Sequence, residues 1–144
     1  SDRFEEAEPL ALQALATSRE TLGPAHPLTF LITNNTGAAL AGAGRVDEAI
    51  SLLSAAVTLA DEKLPPGHIY RFNLRAMLGK TLVEAGRFDE ARPFLTQAME
   101  GLSKALGAQH PAVQRVAQQL AVIHESQSGG ADTSIPIEEE SPDP

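Results

Sequence analysis

Three of the four histidines recur with a constant spacing, which makes them the first candidates for metal chemistry. His26, His68 and His110 are separated by 42 residues each. Zinc needs its ligands at about 2 Å, whereas equivalent side chains of stacked helical units lie about 10 Å apart. The three histidines therefore cannot share an ion, and we predict no metal site and no cofactor. We expect them in exposed loops at helix entrances, where replacement is nearly neutral, and we expect His124 at the exposed end of the repeats.

Paired acidic residues recur at the same period and are candidates for general acid and base chemistry. Their return at the start of successive predicted helices favours solvated residues that complement the helix dipole. The chain has no cysteine, which excludes thiolate nucleophiles and disulfides, and it lacks a phosphate-binding loop and a His-Glu-x-x-His motif. We therefore predict that the chain is not an enzyme. The acidic pairs are Glu5-Glu6, Asp47-Glu48 and Asp89-Glu90.

Amide and basic side chains offer binding chemistry instead. Asn34 and Asn35 can each donate to and accept from a peptide backbone, although amides buried between helices would explain them equally well. Arg71 and Arg75 are four residues apart and, with Lys80, make one predicted helix basic. They could contact an acidic peptide or pair with neighbouring acids on a solvated face, and the sequence leaves both interpretations open.

The elements that position these residues are repeats of 42 residues. The segment Arg3-Phe4-Glu5-Glu6-Ala7 returns as Arg45-Val46-Asp47-Glu48-Ala49 and as Arg87-Phe88-Asp89-Glu90-Ala91. A fixed period of this length marks a solenoid, in which each unit buries its apolar face against its neighbours. Such folds present a surface rather than an enclosed site. The sequence therefore directs the search for function towards a partner.

Each repeat contains two helical patterns in which apolar residues step by three and four positions. The His-Pro pairs at 26–27 and 110–111 predict helix starts, because proline is tolerated at the first helical position. Gly37 and Gly79 predict a close approach of two helices. The fold class is all-α, an antiparallel helix-pair solenoid of six helices. These helices are predicted at about 4–21, 28–42, 46–63, 70–84, 88–106 and 112–125.

The net charge of −8 is concentrated at one end. Residues 126–144 contain a Gly-Gly pair, three prolines and five acidic residues, with no basic residue. This composition predicts a disordered acidic tail after a repeat array at 1–125. The tail either acts as a solubilising end or folds back on basic positions of the array. The array itself is only mildly acidic, so we expect no nucleic acid and no membrane among the partners, because both call for a basic patch.

Length and hydropathy bound the location. No apolar stretch approaches the roughly 20 residues of a membrane span, and we expect a cytoplasmic protein. Ser1 opens directly into a repeat without an initiator Met. We therefore expect the chain to be a fragment of a longer one.

The repeats resemble the tetratricopeptide repeat. That family places small residues near three fixed positions of its unit, and Gly37, Ala49 and Ala56 match them, as do their counterparts one repeat later. The 42-residue period and the stretch at 22–27 resemble the longer variant seen in kinesin light chains. The resemblance covers residues 2–125 and implies a right-handed superhelix.

The resemblance also implies where a ligand binds. In this family the first helix of each pair lines a concave groove that holds a peptide, so the chain is expected to be a scaffold that binds a protein or peptide. Two alternatives stay open: a regulatory or sensor region of a larger enzyme such as a bacterial protein kinase, and a self-association module that forms a homo-oligomer. The groove residues carried over from the family are Leu31, Asn34, Asn35, Asn73, Lys80, Arg115 and Gln118.

Overall fold

The computed structural model describes the backbone of residues 2–132 and the side chains of residues 7–128. Within these residues the chain is all-α, without a strand, as predicted. Loops of three to five residues connect the helices, and such short loops make consecutive helices antiparallel. No helix is long and apolar enough to cross a membrane in the described part of the chain. The six helices are α1 (Asp2–Thr21), α2 (Pro27–Gly42), α3 (Val46–Lys63), α4 (Ile69–Glu84), α5 (Phe88–Leu106) and α6 (Pro111–Asp132).

The end of α6 differs from the sequence-based boundary. The helix continues to Asp132, seven residues into the segment predicted to be disordered from 126 onward. Gln127 anchors this extension, since its side chain accepts a hydrogen bond from Arg92 and donates one to Asp89 on α5. No proline lies between Pro111, at the start of α6, and Pro136. The prediction of disorder for 133–144 lies outside the described residues.

The helices form an inner and an outer layer. Helix α4 contacts both α2 and α6. In contrast, α1, α3 and α5 do not contact one another within residues 2–132. Each inner helix packs against the outer helices beside it. Because the inner helices are closer together than the outer ones, the stack bends, and its inner layer α2–α4–α6 faces a concave surface.

Glycine sets how closely the two layers approach. A Cβ atom added to Gly37 would lie 2.7 Å from Leu53, and one added to Gly79 would lie 2.5 Å from Leu95. Both leucines are fully buried. Each therefore fits into the space that the missing side chain leaves on the facing helix, which confirms the predicted close approach.

Each inner helix that is followed by an outer helix ends in the same motif. Gly44 and Gly86 have φ values of +85° and +75°, a region that side chains disfavour. The N–H group after each glycine bonds to a carbonyl oxygen five residues back, from Arg45 to Leu40 and likewise from Arg87. This is the Schellman motif. It turns the chain from α2 into α3 and from α4 into α5.

The three periodic histidines begin the inner helices. The Nδ1 atoms of His26, His68 and His110 each accept a hydrogen bond, at 3.1 Å, from the backbone N–H two residues ahead. This is the task of an N-cap residue, which satisfies a donor that the first helical turn leaves unpaired. His26 and His68 are also half-buried. The expected exposure therefore holds for His110 and is wrong for His26 and His68, whereas the predicted position at helix entrances is confirmed for all three.

Candidate functional site

The concave surface carries two adjoining depressions, which together we call the concave groove. The first has a volume of about 360 Å³ and lies between α4 and α6, with one residue from α2. The second, of about 280 Å³, lies between α2 and α4 and shares Met77 and Lys80 with the first. The first depression is lined by Asn34, Asn73, Ala76, Met77, Lys80, Leu102, Ala112, Arg115, Val116, Gln118 and Gln119.

The structure brings five of the seven predicted groove residues together in the first depression. Leu31 is not among them, because it lines a different hollow between α1 and α2. Asn35 is exposed and lines neither part of the groove. Both residues are in register with groove residues of the next repeat, Asn73 and Met77. Their helix α2 is the first inner helix described, so no earlier inner helix closes a groove over them.

Asn34 has the most unusual environment in the groove. Its Oδ1 atom is buried and has no hydrogen-bond partner among the described residues. A buried acceptor without a partner costs about 1–3 kcal/mol. The side chain also lines the first depression, so a donor on a ligand in that depression could satisfy it.

Two cations of the groove are available to a ligand. Lys80 and Arg115 are exposed, and neither forms an ion pair within residues 7–128. Small apolar side chains such as Ala76 and Ala112 line the same depression. The surface is therefore amide-rich and mildly basic, with apolar patches.

Arg71 and Arg75 have a different role from that of the groove cations. The guanidinium of Arg75 donates to both carboxylate oxygens of Asp61, at 2.8 and 2.6 Å, and Arg71 adds a third bond at 3.0 Å. Arg75 also donates to Gln97, at 2.8 Å. These bonds join α3, α4 and α5, so the interpretation as pairing with neighbouring acids is confirmed. The hydrogen bonds from Arg75, and next those from Arg71, hold the pKa of Asp61 below its ordinary value despite partial burial.

The acidic pairs at the starts of α3 and α5 are solvated, and the pair Glu5-Glu6 lies outside the side chains that the structure describes. Glu48 and Glu90 each pair with the arginine three residues earlier, at the N-cap positions of α3 and α5. Hydrogen bonds from Arg45 and Arg87 lower the pKa values of these two carboxyl groups. Both side chains are 57% exposed, which agrees with the predicted solvated positions.

Sequence reasoning missed the apolar floor of the groove. Leu102 reaches it from the outer helix α5, and Val116 reaches it from α6. Both are nearly fully buried, so their periodicity marks them only as core residues. Nothing in the sequence separates a core residue that borders a groove from one that does not.

Within the described residues, no group of three or more acidic or histidine side chains could hold a metal ion.

The comparisons with known proteins identify the family. Two models described as tetratricopeptide repeat match residues 1–62 and 73–112. The chain belongs to the tetratricopeptide-repeat (TPR) family. Repeats of this family generally mediate protein–protein interaction, and the family is typically non-enzymatic. A comparison of the TPR chain with curated proteins finds no match.

Solved structures share the fold of the TPR array. One is a Podosopora anserina protein described as a putative kinesin light chain with nearly identical TPR-like repeats, and another is a point variant of that same protein. The TM-scores are 0.79 and 0.80, at 24% sequence identity in both cases. The alignments cover 91% of this chain but only 62% of those chains. At this identity the likeness concerns the fold.

Proposed function

We propose that the TPR array binds an extended segment of a partner protein in the concave groove. The observation that carries this proposal is the buried, unpaired Oδ1 atom of Asn34 in the groove wall. An extended peptide presents backbone N–H groups, and one of them would supply the missing donor. Asn73 and Gln118 offer further amides that can both donate and accept.

The charge of the groove indicates the composition of the segment. Lys80 and Arg115 are two unpaired cations on opposite sides of the first depression. One or two carboxylates on the peptide would match them, whereas a polyanion would need a larger basic surface. Small apolar side chains of the peptide would pack on Ala76, Met77 and Val116.

A peptide selection tests the proposal without knowledge of the natural partner. A displayed library of random peptides is selected on the folded chain, and the affinities of recovered peptides are measured by calorimetry. We expect recovered peptides to carry one or two acidic residues beside small apolar ones. Asn34→Ala combined with Asn73→Ala should weaken their binding by about tenfold per lost hydrogen bond of roughly 1.4 kcal/mol.

A matched control variant tests whether the loss of affinity is specific to the groove. Ser51→Ala combined with Ser54→Ala changes two exposed residues of α3 and should leave affinity unchanged. The Asn34 change removes an unsatisfied buried acceptor, so the melting temperature of the groove variant should not fall. Equal affinity for the wild-type chain and the groove variant would contradict the proposal.

A further inference from the structure

A larger cavity lies on a different face of α4 from the concave groove. Its volume is about 590 Å³, which is within the range of small-molecule sites. The cavity lies between the first turns of α4 and the second half of α5, beside the loop that joins α3 to α4. It shares no lining residue with either part of the concave groove. It is therefore a separate candidate site.

The apolar floor of this cavity depends on a departure from the repeat pattern. Gly101 of α5 stands where the preceding repeat has Leu59. The ring of Phe72 packs onto this glycine, since a Cβ atom added there would lie 2.3 Å from the ring. Phe72 is only partly buried and lines the cavity, whereas its equivalent Phe30 is 1% exposed. Ala105, one turn further along α5, adds a second small residue to the lining.

Two arginines of α4 line the same cavity and also depart from the repeat pattern. They are Arg71 and Arg75, and the preceding repeat has buried threonines at both positions. The Nε atom of Arg71 donates to Asp61, but its two terminal nitrogens form no hydrogen bond within residues 7–128. This side chain is 17% exposed. Its terminal N–H groups therefore offer a carboxylate the paired geometry that a guanidinium binds best.

The charges around the cavity leave one positive charge without a partner. The cations that line it are Arg71, Arg75 and Lys104. Asp61 pairs with the two arginines, and Glu100 pairs with Lys104 at 3.3 Å. Three cations therefore face two carboxylates, and a ligand with a single negative charge would complete the balance.

We propose that this cavity binds a small organic acid with one carboxylate and a compact apolar body. The carboxylate would accept hydrogen bonds from the terminal nitrogens of Arg71, and the apolar body would lie on Phe72 and Gly101. A bound acid would contact both α4 and α5 and should therefore raise the melting temperature. The proposal does not depend on the peptide site, because the two surfaces have no lining residue in common.

Titration of the full chain with simple probes tests the proposal. Phenylbutyrate is the acid, and phenylbutyramide is its neutral counterpart of nearly the same shape. We expect phenylbutyrate to bind with a dissociation constant of about 1 mM or tighter and to shift the backbone amide signals of Phe72, Gly101 and Ala105 in NMR spectra. The amide should bind about tenfold more weakly, because it loses the charge-assisted hydrogen bonds. Phenyl phosphate, which approaches a double negative charge at neutral pH, should bind no better than the acid.

Variants show whether the probe occupies this cavity. Arg71→Gln should weaken the binding of phenylbutyrate about tenfold, while the bonds from Arg75 to Asp61 continue to join the helices. Ala105→Phe places a ring in the cavity from an exposed position and should abolish binding without lowering the melting temperature. Arg115→Gln is the matched control, because it removes a cation of the concave groove and should leave the affinity unchanged.

Several results would overturn the proposal. They are equal affinity for phenylbutyrate and phenylbutyramide, tighter binding of phenyl phosphate than of the acid, and unchanged affinity in Arg71→Gln. The absence of binding at probe concentrations of about 20 mM, well above the expected dissociation constant, would also overturn it. So would a dimer of the chain in sedimentation that Arg71→Gln dissociates, because a second copy would then fill the cavity.

Discussion

Three histidines perform, at three helix entrances, the task that serine, threonine, aspartate or asparagine usually performs. An imidazole accepts through Nδ1 when that nitrogen carries no proton, and the geometry repeats at 3.1 Å in each copy. The 42-residue spacing locates these residues at helix starts. It does not reveal the bond, because histidine is absent from the usual list of capping residues. Residue type and spacing therefore predict the place but not the role.

His68→Ala should destabilise the fold measurably. The change removes the bond to the Tyr70 N–H group and the edge contact between the two rings, whose centroids are 4.9 Å apart. We expect a loss of about 1 kcal/mol in urea unfolding. His68→Asn should recover most of it, because asparagine is a strong capping residue. His124→Ala, at an exposed position on α6, is the control and should leave stability unchanged. Equal stability of all three variants would contradict the capping role of His68.

At the scale of helices, the sequence predicts most boundaries within one or two residues. The apolar stripes and the glycines at the turns carry that information, because both reflect packing that every repeat must satisfy. The sequence predicts the end of α6 at 125, whereas the helix ends at Asp132. Its last turns are polar and are anchored by Gln127 on α5, so no apolar periodicity marks them.

The approach of α4 to α5 depends on a single missing side chain. Gly79→Leu should destabilise the protein by about 1–3 kcal/mol or more, since even a Cβ atom would lie 2.5 Å from Leu95. Thermal melts measure the loss, and Leu95→Ala added to Gly79→Leu should restore part of it. Gly67→Ala is the matched control, because its Cβ would meet no atom within 4 Å. A larger effect at Gly67 than at Gly79 would contradict this account of the layer spacing.

The link between α3, α4 and α5 should depend on pH. The pKa of Asp61 is lower in the folded state than its ordinary value, so its ionised form stabilises the fold above that value. This stabilisation is lost as pH falls through the folded pKa. Asp61→Asn should therefore reduce stability at neutral pH, and the difference from wild type should shrink in acid. Urea unfolding across this range measures it, with Glu62→Gln as the neighbouring control. If the stability difference between wild type and Asp61→Asn grew on acidification, the ionised form of Asp61 would not be the stabilising one.

At the scale of the whole molecule, the two-layer arrangement supports the proposed function. The inner helices gather amides and two unpaired cations into one groove, while the paired charges of Arg71, Arg75, Arg45 and Arg87 are used to hold helices and helix starts. Five of the seven residues that the resemblance assigns to a groove line one depression. Leu31 and Asn35 lie outside both depressions of the groove, because a repeat pattern gives every copy the same surroundings, whereas the structure describes no inner helix ahead of α2.

The most direct test of the groove is to map a bound peptide on the folded chain. A peptide from the selection is titrated into the labelled protein, and backbone amide chemical shifts are followed by NMR. We predict shifts along α2, α4 and α6, centred on Asn34, Lys80 and Arg115, with little change in the exposed faces of α3 and α5. Shifts confined to α3 and α5 would place the binding surface on the outer layer and contradict the account.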